Sequence, residues 1–262
     1  MPDSALQTVD RALAVLELLA DHPEGLRPAD VAAAMGLNKV TTHRLLATLL
    51  NRHFVERQEE NGRYSIGLRL IEISSLRLNN LELKTEAQPW LRRLVTQAGQ
   101  PVHLAIYDQG EIVYIEKMET VHSIRMYSQI GKRSPVYCTA LGKVLLAALP
   151  DEEIRAVLQG LTLRAFTPTT LTSPEQILAE IGQVRSQGFA LDRQEHEPGV
   201  FCVAAPIRDY RGQVIAAVST AGSRQDYLDN PDHEMIRWLR ETAAAISHRL
   251  GYYDRSADPA GH

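Results

Sequence analysis

The sequence predicts an α+β chain: an N-terminal winged helix-turn-helix over residues 1–66, a linker helix over 67–83, an antiparallel-sheet domain over 84–254 and a disordered tail at 255–262. Three observations predict it. The stretch LRPADVAAAMGLNKVTTHRLLATLLNRHFVERQEENGRYSI, Leu26 to Ile66, reads as two short helices around a glycine turn, then two short strands. After Gly99 the apolar period changes from 3.6 to 2. At 262 residues the chain is also longer than one small module needs.

Leu6–Ala20 has helical spacing, and Val9, Leu13, Leu16 and Leu19 are its expected core face. Pro28 sits at the first position of the next helix, where a missing N–H costs nothing; Val31, Ala32 and Met35 point inward. Gly36 ends it and Asn38 caps the following helix. There Thr42, Leu45, Leu46 and Leu49 share the buried face at i, i+3, i+4, i+7. Asn38, Lys39, Val40, Thr41, His43 and Arg44 remain around the outward N-terminal side. In a helix-turn-helix that end enters the major groove, so these side chains are the candidates for base edges and phosphates of double-stranded DNA. His53–Arg57 and Arg63–Ile66 read as strands around the tip Glu59-Glu60-Asn61-Gly62, a wing on which Arg57 and Arg63 could neutralise phosphate. A plain helical pair with a hairpin is the alternative; the wing in register favours DNA.

Charge agrees with a selective reader. The chain has 28 basic and 32 acidic residues, which is unlike a non-specific nucleic-acid coat. Yet Lys39, Arg44, Arg52, Arg57, Arg63 and Arg69 outnumber Glu56, Glu59 and Glu60 between Gly36 and Arg69. Cys138 and Cys202 give neither metal spacing nor a disulfide framework. No secretory pattern and no apolar run near ~18 residues is present, so a cytoplasmic protein without a membrane span is expected.

Gly67–Asn79 and Lys84–Ala98 are expected helices, with a break at Asn79-Asn80. Pro89 is expected only near a helix start or at a kink. They either form a dimer-making connector or pack on their own domains. Beyond Gly99, Val102–Asp108 and Glu111–Lys117 flank the hairpin turn Gln109-Gly110, and Ser123–Ser128 is a third strand. Helices follow at Ala140–Leu149, Asp151–Gln159 and from Ser173-Pro174-Glu175 to Gln187. Val200–Arg208 and Gln213–Thr220 flank a turn at 209–212. Asn230-Pro231 opens a last helix with Met235, Leu239, Thr242, Ile246 and Leu250 inward. Hairpins with helices on one side mean an antiparallel sheet rather than a dinucleotide fold.

Two patches carry chemistry. Thr139 caps a helix whose first turn, Ala140-Leu141-Gly142, has small residues that leave backbone N–H groups for an anion, such as a small carboxylate effector. Met126 and Tyr127 from the preceding strand, and Ser134 and Tyr137 from the lead-in loop, would line it; a plain corner with Gly142 serving close packing is the alternative. The second patch is the polar loop Asp192–Glu197. Hydrogen bonding of a polyhydroxy ligand suits Asp192 and Glu195, with His196 merely solvated. A nucleophilic site with Cys202, His196 as base and Asp192 is the competing enzymatic reading, but FCVAA is an apolar strand in which cysteine is a small hydrophobe. His103 or His122 could join a metal site there, without diagnostic spacing. No catalytic residue, metal or cofactor is assigned.

LQTVDRALAVLELLA, LNKVTTHRLLATLLNRHFVER and YSIGLRLIEI together resemble the winged-helix domain of the IclR-type transcriptional regulators. GKRSPVYCTALGKVLLA and GFALDRQEHEPGVFCVAAPIRDYRGQVIAAVSTAG resemble that family's GAF-like effector-binding domain, and the run RMYSQIGKRSPVY is similar to repressors of sugar-acid catabolism that respond to 2-keto-3-deoxygluconate. The resemblance implies ligand positions at Met126, Ser134, Ala140, Leu141, Asp192, Val200, Cys202, Ser219 and Ala221. It also implies a homodimer on a pseudo-palindromic operator, often paired again into a tetramer, with repression released by ligand. Val40 and Thr42 depart from the family's hydroxyl and β-branched pattern, and Ala221 stands where a hydroxyl can occur, so neither operator nor ligand can be borrowed.

Overall fold

The computed structural model describes residues 6–79, 82–119 and 128–253, and the chain divides into two compact units, residues 1–80 and 81–262. The predicted strand over 123–128 (save Ser128), Met126, Tyr127, His122 and the tail at 255–262 lie outside the described residues.

In the first unit α1 (Gln7–Ala20), α2 (Pro28–Met35) and α3 (Lys39–Asn51) close around Val15, Leu19, Val31, Leu45, Leu46 and Leu49. Val55 and Tyr64, from β1 (Val55–Arg57) and β2 (Tyr64–Ile66), complete that core. Gly36 adopts the left-handed conformation (φ 62°) that ends α2 and turns the chain into α3. The core face of α1 differs from expectation: Val15 and Leu19 are buried, whereas Val9 and Leu13 are 54% and 56% exposed. Apolar residues occupy two sides of this helix, so periodicity alone could not choose between them. β1 starts later than predicted, with His53 in a left-handed turn (φ 60°) before it, and β2 starts at Tyr64 rather than Arg63. α4 (Leu68–Asn79) follows, with Leu68 and Ile71 exposed.

The second unit begins with α5 (Glu82–Ala98), which runs through Pro89 rather than starting or breaking there. Its Leu83, Ala87, Leu91 and Leu94 are buried against this unit's own sheet and last helix, so α5 packs within its domain. β3 (Val102–Asp108), β4 (Glu111–Met118), β5 (Arg133–Pro135), β6 (Ala190–Arg193), β7 (Phe201–Arg208) and β8 (Val214–Gly222) form an antiparallel sheet in the order β5-β4-β3-β8-β7-β6. α6 (Ala140–Ala147), α7 (Asp151–Gly160) and α8 (Pro174–Gln187) belong to the core over one face; α5 and α9 (Glu234–Arg249) cover the other. The expectation of helices on one side is therefore corrected. Central strands β7 and β8 bury residues of both alternations, as in the run Ala216–Gly222, and each face needs a cover. β5 and β6 were not foreseen; β6 takes Asp192 and Arg193 out of the expected loop. α9 starts later than Asn230-Pro231, at Glu234, where His233 Nδ1 accepts the Met235 amide at 3.1 Å.

Candidate functional site

The first unit's site is the outer side of α3. Asn38 Oδ1 accepts the Thr41 amide at 2.9 Å and so caps the helix. Thr42, Leu45, Leu46 and Leu49 are buried, while Asn38, Lys39, Val40, His43 and Arg44 are exposed and Thr41 half-buried. The core face thus consumes one side of the helix and leaves the predicted readers on the other. Arg57 is exposed on the wing. Arg63 is partly spent on structure, since its Nη1 donates to the Gly25 carbonyl at 2.7 Å.

The second unit's site forms where the sheet meets the start of α6. Directly opposed residues of an antiparallel pair share a face, and Asp192 opposes Cys202 while Cys202 opposes Ala221. The same face carries Ser219 opposite His103, so β6, β7, β8 and β3 each contribute one or two side chains. Thr139, Ala140, Leu141 and Val200, also among the predicted residues, line the same cavity of about 40 Å³. His103, Tyr114, Ser128, His196 and Glu197 also line it. His103 and His196 were weighed there only for a metal or nucleophilic site and Glu197 only as part of the polar loop, whereas Tyr114 was missed because strand pairing, invisible in a linear pattern, brings it there. Thr139 caps α6 by accepting the Gly142 amide at 3.1 Å, and its carbonyl accepts the Lys143 amide at 2.9 Å. Gly142 is also a close-packing residue: a Cβ there would sit 2.3 Å from the Val136 backbone.

Three predicted residues are not brought to the cavity. Ser134 is buried on β5 opposite Ile112. Tyr137 turns its hydroxyl to donate to the Arg164 carbonyl at 2.8 Å. Glu195 is held by Lys143, whose Nζ lies 2.6 Å from its Oε1, 3.0 Å from Glu180 Oε1 and 2.9 Å from the Leu191 carbonyl. Lys143 is 1% exposed and was not singled out from the sequence. The Glu195 amide in turn donates to Asp192 Oδ1 at 2.6 Å, tying the loop to the cavity wall.

Electrostatics separates a binding pocket from a catalytic one. Burial pushes the Asp192 carboxyl up to about 7, against the Glu195 backbone amide, whose hydrogen bond favours the ionised form. Burial, then the Lys117 charge, lowers His103 to about 3; its Nε2 lies 2.8 Å from Ser128 Oγ and the ring is neutral. The Cys202 thiol is pushed well above its ordinary value by burial and by neighbouring Asp192, the reverse of what a nucleophile needs. Among the described residues no three His, Cys, Asp or Glu side chains gather as a metal site, and no helix is long and apolar enough to cross a membrane.

Residues 8–59 match the IclR helix-turn-helix domain, and residues 76–248 match the bacterial transcriptional regulator IclR C-terminal domain. The chain belongs to the IclR family of transcriptional regulators. The HTH-type transcriptional regulator XynR of Escherichia coli K12 is 40% identical over 252 residues, spanning 94% of this chain and 98% of the relative. KdgR of the same strain is 34% identical over 253 residues, spanning 97% and 95%. An IclR homologue from Microbacterium hydrocarbonoxydans, solved in complex with 4-hydroxybenzoate, superposes with a TM-score of 0.82 at 26% identity, over 93% of this chain and 98% of that one. This IclR-family chain is a DNA-binding regulator with an effector-binding C-terminal domain, and the hydrolase reading of Cys202, His196 and Asp192 is not supported.

Proposed function

We propose that this regulator acts in the cytoplasm as a repressor of a catabolic operon. It reads a pseudo-palindromic operator as a homodimer through paired α3 helices, with Asn38 at the cap and Lys39, Val40, Thr41, His43, Arg44, Arg57 and Arg63 on duplex DNA. Exposed Leu6, just before α1, and exposed Val9 and Leu13 on it support pairing of two chains, and pairing of two dimers extends the same assembly. A small carboxylate such as a sugar acid or keto acid binds between α6 and the sheet and releases the protein from DNA.

The observation that carries the ligand class is one cavity holding two complementary features. Thr139 occupies the Gly142 and Lys143 amides, which leaves those of Ala140 and Leu141 at a helix N-terminus for an anion. Asp192, which lines the same cavity, is buried and protonated up to about pH 7, able to donate to a carboxylate or hydroxyl oxygen. Val200, Cys202, Ser219 and Ala221 shape the rest, while Met126 and Tyr127 are assigned to it from the sequence alone. Aromatic acids belong in the same test, since a family member of this fold holds 4-hydroxybenzoate.

Because effector and DNA are linked, each changes the other's affinity by the same factor, typically about 1–3 kcal/mol. Thermal-shift screening of the full chain with 2-keto-3-deoxygluconate, simple keto acids and 4-hydroxybenzoate should yield one stabilising acid. The same acid should shift the midpoint of operator binding in a gel-shift titration, and Asp192→Ala should abolish that shift while keeping DNA affinity. Operator binding that no acid alters would leave the second unit as an oligomerisation scaffold.

A further inference from the structure

The side chains of α3 can be sorted by what the fold already asks of them. The Asn38 carboxamide oxygen is taken by the Thr41 amide, and Thr42 is buried with its hydroxyl donating to the Asn38 carbonyl at 3.1 Å. Thr48 donates to the Arg44 carbonyl at 2.8 Å, and Leu45, Leu46 and Leu49 close the core. What remains outward at i, i+3, i+4, i+7 is Val40, His43, Arg44 and Ala47, all exposed. Arg44 makes no side-chain hydrogen bond or ion pair with any described residue.

Val40 stands out in that row. It is an apolar, β-branched side chain, 69% exposed, in the first turn of the helix and outside the core it could otherwise support. The major groove offers one apolar group on a base edge, the 5-methyl of thymine, whereas Arg44 is suited to the O6 and N7 of guanine. Resting on the reading of α3 as the recognition helix, we infer that Val40 packs on a thymine methyl at one fixed position of each half-site, with Arg44 on a guanine close by. Four residues of helix span about 6 Å and base pairs stack about 3.4 Å apart, so the two bases lie within about two base pairs. Specificity at that position is then carried by a methyl group rather than by hydrogen bonding.

The test uses a duplex selected from a random pool by the full chain, then resynthesised with deoxyuridine replacing each thymidine of one half-site in turn. Deoxyuridine removes only the methyl. One position should lose about fourfold in affinity, the value of one buried carbon. Val40→Ser, an exposed substitution, should bind the thymidine and deoxyuridine duplexes of that position equally. Selected half-sites without a fixed thymine, no penalty at any position, or a penalty that persists undiminished in Val40→Ser would each overturn the assignment of Val40 while α3 still reads DNA. Failure to select any duplex would instead overturn the recognition-helix reading, and the thymine contact with it.

Discussion

The starts of α3 and α6 use one local device for opposite ends. Each helix is capped by a short polar side chain, Asn38 on the Thr41 amide and Thr139 on the Gly142 amide. Around α3 the proposed readers are the side chains left over once the core face is complete, and they are exposed or half-buried. Around α6 nearly everything is inside: Ala140, Leu141, Lys143, Asp192 and Ser219 are all buried. On the proposed reading a duplex comes to the surface of the first unit, so removing a reader should cost binding and not folding. A metabolite must be enclosed by the second unit, so its polar groups are desolvated and depend on partners within the protein.

The sharpest way to break that contrast is Lys143→Met. Lys143 neutralises Glu195 and Glu180 and satisfies the Leu191 carbonyl from a site closed to water. Removing one member of a buried pair leaves an uncompensated charge, at a cost of about 3–5 kcal/mol. Trp90 and Trp238, the chain's two tryptophans, both lie in the second unit, so urea unfolding followed by their fluorescence reports on it. The midpoint should fall well below that of the native chain, and Lys143→Met/Glu195→Gln should recover part of the loss. An unchanged midpoint would mean the ion pair contributes nothing.

Arg44→Ala probes the other side. The guanidinium is exposed and outside the core, so stability should be unchanged within a few tenths of a kcal/mol. Operator affinity should fall about 10- to 100-fold, the range for a base-contacting arginine. Gel-shift titration and thermal melting of the same preparation check both halves. A variant that loses stability together with DNA affinity would erase the distinction between surface reader and buried sensor.

That distinction also governs how much was legible in the sequence. The i, i+3, i+4, i+7 face of α3 is a local pattern, so Thr42, Leu45, Leu46 and Leu49 were placed inward and Lys39, Val40, His43 and Arg44 outward. Where a helix is apolar on two sides, as α1 is, the same rule chose Val9 and Leu13, which are exposed. In the second unit Thr139 and its helix start were readable as a cap. Asp192 was read as a ligand residue from its polar loop, but Cys202 and Ala221 joined it in the pocket only through family resemblance, because the three are up to 29 residues apart and meet only through strand register. Lys143 was invisible for the same reason: in GKVLLA it looks like an ordinary exposed lysine, and its partners lie on α8 and beyond β6.

Asp192 gives the most direct measure of enclosure. Its carboxyl ordinarily titrates at 3.8 and burial holds it at about 7. Below about pH 4 it is protonated in folded and unfolded chains alike and contributes nothing to the pH dependence. Between about 4 and 7 the unfolded chain releases the proton while the folded one keeps it, so stability falls as pH rises and levels off above 7. Asp192→Asn, which retains an oxygen for the Glu195 amide, should flatten that limb and leave the chain more stable than native at pH 8. The same proton bears on the ligand. A carboxylate effector meets a donor at pH 6 and a like charge at pH 8, so affinity should drop about tenfold across that interval as the protonated fraction does. Isothermal titration at the two pH values checks it. An affinity independent of pH in the native chain would place the carboxylate away from Asp192, and only the helix N-terminus would remain to hold it.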